Sequence, residues 1–120
     1  MRLNSLTIKE AKEELDNGEI TSVELTKACL DRIKEVDNKV NACLTVCADK
    51  ALAAAKKADE RRQTGERGGL LGIPYLAKDN IMTTGIKTTA ASKILENYIA
   101  PYNATVIAKL EEAGASIELK

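Results

Sequence analysis

The stretch GERGGLLGIPYLAKDN, residues 65–80, passes from a glycine-rich loop through an apolar run to a polar turn. Its apolar centre, Ile73-Pro74-Tyr75-Leu76-Ala77, contains a proline, which cannot donate to a sheet ladder and is tolerated only at a strand's start or on an edge. The stretch therefore predicts a short strand at about 75–78, ending in Lys78-Asp79-Asn80. Upstream, DKALAAAKKADERRQT is built from strong helix formers over about 49–64 and closes at Gly65. Downstream, Asn103 is the expected cap of a helix over about 104–113 carrying Val106, Ile107 and Leu110, and Gly114 ends it before a strand-like segment at about 115–119. Helix and strand alternate, so the fold class is α/β with a partly parallel sheet.

Further out, Thr7-Ile8-Lys9-Glu10 and Thr21-Ser22-Val23-Glu24 both have the spacing of a capping box, in which hydroxyl and carboxylate satisfy orphan amides at a helix start. They predict helices at about 8–17, stopped by Gly18, and at about 22–36, where Leu25, Cys29, Ile33 and Val36 share one face. Asn41 to Cys47 alternates Ala42, Leu44 and Val46 with Cys43, Thr45 and Cys47, which reads as a strand covered at least partly on both faces. Residues 79–102 show no sustained period and are expected to be loop, with a helical turn at about 92–96. No internal repeat, low-complexity tract or linker interrupts the chain, so 1–120 reads as one structural unit.

Composition narrows the chemistry. Eighteen Lys+Arg balance eighteen Asp+Glu, and a net charge of zero gives neither nucleic acid nor an anionic membrane an electrostatic handle. With no histidine, Ser-His-Asp and Cys-His nucleophiles, HExxH zinc sites and the kinase catalytic loop are excluded within this chain. Cys29, Cys43 and Cys47 fit no C-x-x-C site and are expected to act as small buried hydrophobes; no metal site is expected. No signal-type run or membrane-length apolar run is present, so a reducing compartment, cytoplasm or organelle matrix, is the expectation. Leu, Ile and Val together number 28, there is no Phe or Trp, and 17 Ala carry much of the apolar content, which predicts a thin core.

Three groups of residues invite a chemical reading. Gly65, Gly68, Gly69 and Gly72 match neither phosphate-binding spacing and precede a strand rather than a helix, so they are read as flexible entry into that strand. Asp59-Glu60 and Glu111-Glu112 are read as solvated helix faces. Lys78 differs. Ligands of open α/β sheets bind beyond the carboxyl ends of strands, and a lysine there, partly desolvated by its apolar predecessors, has the makings of a general base. Asp79 and Asn80 would then hydrogen-bond the surrounding backbone and hold the geometry. The competing reading is a simple polar turn after a strand.

The segment LLGIPYLAKDNIMTTGIKTTAASKILENYIAPYNATVIAKLEEAGA, residues 70–115, resembles the amidase signature family. GIP-x-x-x-KDN is shared across that family, whereas KTTAASKILENYIAPYNATV narrows the resemblance to the A-subunit group of the glutamyl-tRNA(Gln)/aspartyl-tRNA(Asn) amidotransferases. GEITSVELTKACLDRIKEVDNKVNACLTV (18–46) and ALAAAKKADERR (51–62) match the leading helices of that group.

The resemblance implies the amino-terminal part of the amidase signature fold, a mixed sheet flanked by helices, incomplete in this chain. It also implies a Ser-Ser-Lys triad that hydrolyses an amide, with Lys78 at the lysine position. Both serines lie beyond residue 120 in the family pattern, and Ser5, Ser22, Ser92 and Ser116 have no glycine- and serine-rich setting. The implied whole is a glutamine-hydrolysing protein that supplies ammonia to amidate misacylated tRNA, working with B and C subunits and using ATP and Mg. No cofactor is expected in this chain, and the fragment alone is expected to be inactive. Departures from the pattern are Tyr75 and Ala90, which are mild, and the end Glu118-Leu119-Lys120 where the family continues its strand into Gly-Lys-Thr-Asn; the divergence at the end suggests a truncated or frameshifted frame or an early stop. The alternatives are a non-catalytic module that docks partner subunits and a fragment of another amidase-family hydrolase.

Overall fold

The computed structural model describes the backbone of residues 2–119 and the side chains of residues 2–117. After a 3-10 turn at Leu3–Ser5 come three helices, α1 (Ile8–Asp16), α2 (Ser22–Val40) and α3 (Ala48–Gln63). Strand β1 (Pro74–Leu76), a 3-10 turn (Lys93–Leu95), helix α4 (Thr105–Glu112) and strand β2 (Ser116–Leu119) follow. Both capping boxes form: Glu10 N–H donates to the Thr7 hydroxyl at 3.2 Å and Thr7 N–H to the Glu10 carboxylate at 2.7 Å, and the Thr21–Glu24 pair repeats this at 3.1 and 2.8 Å.

The strands pair in parallel, Pro74 with Ser116 and Tyr75 with Ile117, with an irregularity before Leu76 meets Leu119. Pro74 stands at the start of β1, where a missing donor is tolerated. The start of β1 is held to the helices by long-range bonds. Arg62 of α3 donates to the Leu71 carbonyl at 2.8 Å and to Asp16 of α1 at 2.5 Å, and the Ser22 hydroxyl of α2 donates to the Gly72 carbonyl at 2.7 Å. Gly72 has φ +82°, and a Cβ there would lie 2.9 Å from the Ser22 oxygen, so only glycine fits this approach. Ala51 and Ala55 are fully buried, and Leu71 and Ile107 are the two large apolar side chains among the fully buried residues.

Four expectations are corrected. Residues 41–47 are not a strand. Helix α2 runs on to Val40, Asn41 turns left-handed at φ 53°, and the Asp37 carboxylate takes the N–H groups of Ala42 and Cys43 that a ladder would need. Leu44 and Val46 are 65% and 49% exposed, so that face is uncovered. Asn103 does not cap α4; the cap is Ala104, and the Asn103 side chain accepts from Thr84 N–H at 2.8 Å and donates to Glu111 at 3.2 Å. Asp59 is no solvated face, since its carboxylate accepts from Ser22 N–H at 2.7 Å and Val23 N–H at 3.1 Å and so caps α2 from a neighbouring helix. The three cysteines are partly buried rather than buried. The expectation attached to Glu118, Leu119 and Lys120 lies outside the described side chains.

Candidate functional site

Beyond β1 the chain turns at once, with Ile81 N–H donating to the Lys78 carbonyl at 3.0 Å. Lys78, Asp79 and Asn80 line one cavity of about 590 Å³, together with Leu76 and Ala77 before them, Ala42 and Leu44 from the segment after α2, and Ala90 and Ala91 from the following loop. Lys78 itself is exposed, which corrects the expectation of partial desolvation: a strand of three residues ends at Leu76, itself 62% exposed, and leaves Lys78 out in the turn. Asn80 is exposed as well, whereas Asp79 is buried.

Asp79 lines the cavity and also braces the following loop. Its carboxylate accepts the Thr89 N–H at 3.1 Å and the Thr89 hydroxyl, and its own carbonyl accepts the Ala90 N–H at 3.1 Å. The loop so held has two successive left-handed alanines, Ala90 at φ 48° and Ala91 at φ 57°. A left-handed alanine sets Cβ against the following carbonyl and costs about 1–2 kcal/mol, so the conformation persists only where surrounding bonds impose it. Sequence reasoning passed over Thr89 and Ala91, because Thr88-Thr89-Ala90-Ala91 carries no period and no glycine to announce a positive φ.

None of the serines lines this cavity. Ser22 is buried against Gly72, and Ser116 borders a separate cavity of about 440 Å³ between α3 and β2. Among the described residues no group of three His, Cys, Asp or Glu side chains is placed to hold a metal, and no helix is long and apolar enough to cross a membrane. Next to the strand pairing, burial pushes the Tyr75 phenol up to about 12, with help from the charge of Glu111.

The chain belongs to the amidase family, whose profile matches residues 24–120. Within that class it is 55% identical over 117 residues to the A subunit of the glutamyl-tRNA(Gln) amidotransferase of Thermoanaerobacter pseudethanolicus, a match that covers 98% of this chain and 24% of that protein. Among solved structures it is similar to the native peptide amidase of Stenotrophomonas maltophilia, with TM-score 0.89 and 32% identity over 97% of this chain and 24% of that one. Fatty acid amide hydrolase, at TM-score 0.91 and 23% identity over 98% of this chain and 21% of that one, shares the fold. The architecture is thus part of the amidase signature fold, and the chain spans about a quarter of the length of the relatives it matches.

Proposed function

We propose that this chain is the amino-terminal quarter of the glutamine-hydrolysing A subunit of a tRNA-dependent amidotransferase, with Lys78 as the base of a Ser-Ser-Lys triad. The observation that carries the reading is the 55% identity to an amidotransferase A subunit over nearly the whole chain, against 32% to a peptide amidase. In this reading the remaining fold covers the cavity, excludes water from around Lys78 and brings both serines to it. Lys78 then takes the proton of one serine, which in turn takes the proton of the serine that attacks the glutamine amide. Asp79 braces the adjoining loop, and Asn80 contributes a polar edge to the cavity. ATP, with Mg, activates the acceptor in the assembled complex. The B and C subunits are its partners, misacylated tRNA is engaged through the B subunit, and the compartment is the cytoplasm or an organelle matrix.

The test is a chimera in which residues 1–120 replace the matching quarter of the Thermoanaerobacter A subunit. Glutamine hydrolysis is expected from the chimera, and Lys78→Ala should lower kcat by about 10²-fold or more. Turnover that survives Lys78→Ala overturns the role of the lysine. Preference for peptide amides over glutamine would instead favour another amidase-family hydrolase.

A further inference from the structure

The loop facing Lys78 has a feature that amide hydrolysis as such does not require. Glycine takes a left-handed backbone without penalty, yet residues 90 and 91 are both alanine, at φ 48° and 57°. Both residues belong to the lining of the cavity that Lys78 also lines. The pair is held there by Asp79, the residue next to Lys78, through the Ala90 N–H, the Thr89 N–H and the Thr89 hydroxyl. Ser92 N–H closes the turn onto the Thr89 carbonyl at 2.8 Å. Base and wall are therefore one unit, tied through Asp79, whose carbonyl takes the Ala90 N–H and whose buried carboxylate takes the Thr89 N–H and hydroxyl.

We propose that Ala90 and Ala91 form a specificity wall that limits the bulk of the group attached to the substrate carbonyl, and that Thr89 is the positioning residue that keeps this wall in place. The inference rests on the reading of Lys78 as the base in an amide-binding cavity. A substrate whose carbonyl stands near Lys78 shares the cavity with these two methyls. Small acyl groups pass them, and an aromatic ring meets them. A methyl more or less in an apolar pocket shifts discrimination by roughly 10- to 200-fold, so two are enough to separate substrate classes.

The experiment uses the full-length chimera and the ratio of kcat/KM for glutamine to that for phenylacetamide. Ala90→Gly with Ala91→Gly should lower this ratio by about tenfold or more, through a smaller KM for phenylacetamide. Thr89→Val, which keeps the shape and removes the hydroxyl donor, should lower it in the same direction and hasten amide exchange at Ala90, and Thr89→Ser should restore both. An unchanged ratio in the glycine pair, or equal losses on both amides, overturns the wall. Unchanged exchange in Thr89→Val overturns the positioning role. A parent chimera that hydrolyses phenylacetamide and not glutamine refutes the glutamine reading alone, since the KM shift for phenylacetamide still reads the wall. A parent silent on both amides overturns the two together.

Discussion

Among the described residues ten large apolar side chains are at least 37% exposed, with Ile94 at 94%, Leu44 at 65% and Leu76 at 62%. The accessible surface is 7397 Å², where a folded monomer of 13.0 kDa exposes about 6,300 Å². The radius of gyration is 14.5 Å against about 13.6 Å for a compact domain of this length. If roughly 55–60% of the extra area of about 1,100 Å² is apolar, as on ordinary protein surface, covering it at roughly 25 cal/mol per Å² stabilises by at most about 16 kcal/mol. A domain's entire margin is about 5–15 kcal/mol. The chain expressed alone is therefore expected to be molten or aggregating, with broad calorimetric melting, weak near-UV circular dichroism from its three tyrosines and strong binding of a dye that reports apolar surface. The full-length chimera should regain a cooperative transition and lose the dye signal. A soluble monomer of the 120 residues that melts sharply and binds no dye would refute the reasoning and favour a self-sufficient module that docks partner subunits.

Four further outcomes are expected. The isolated chain should turn over no amide, for want of a serine at the Lys78 cavity; activity abolished by Lys78→Ala would contradict this. In the chimera, Asp59→Ala removes two charge-assisted bonds to the start of α2 and should cost about 2–3 kcal/mol in urea unfolding, with Asp59→Asn costing less. Tyr75→Phe deletes a buried hydroxyl that has no partner and should raise stability by about 1 kcal/mol. Because the folded-state phenol is raised to about 12, the native chain should also lose stability as pH climbs from about 10 towards 12, and the phenylalanine variant less so. The Arg62 guanidinium holds the Asp16 carboxyl below its usual range, chiefly by hydrogen bonding, so this pair stabilises fully above pH ~4 and fades as pH falls below it. Arg62→Met should flatten that acid limb in pH-dependent urea titrations.

Much of the scaffold was legible because its signals are local. A capping box acts over three residues, so Thr7-x-x-Glu10 and Thr21-x-x-Glu24 announce α1 and α2 whatever packs on them. Pro74 restricts its own strand to one kind of position, and Gly114, at φ 91°, ends α4 as expected. The run into Lys78-Asp79-Asn80 was also visible as a chain turn beyond a strand. Its braced partner loop was not, since the bonds from Asp79 span ten residues and nothing in Thr88-Thr89-Ala90-Ala91 marks them.

The sequence by itself determined the helices, the parallel strand pair, the thin alanine-rich core and the motif that places the chain among amidases, because each depends on residue type at short spacing. Tertiary structure decided what residues 41–47 become, that Asp59 adds to the cap of α2, how far Lys78 stands in solvent and how Ala90 and Ala91 are held left-handed. At the start of α2 and at the alanine pair the deciding bonds come from another part of the chain. Asp59 reaches back 36 residues to Val23, Asp37 takes the Ala42 and Cys43 N–H groups that a ladder would need, and Asp79 holds Thr89 and Ala90 in the left-handed loop.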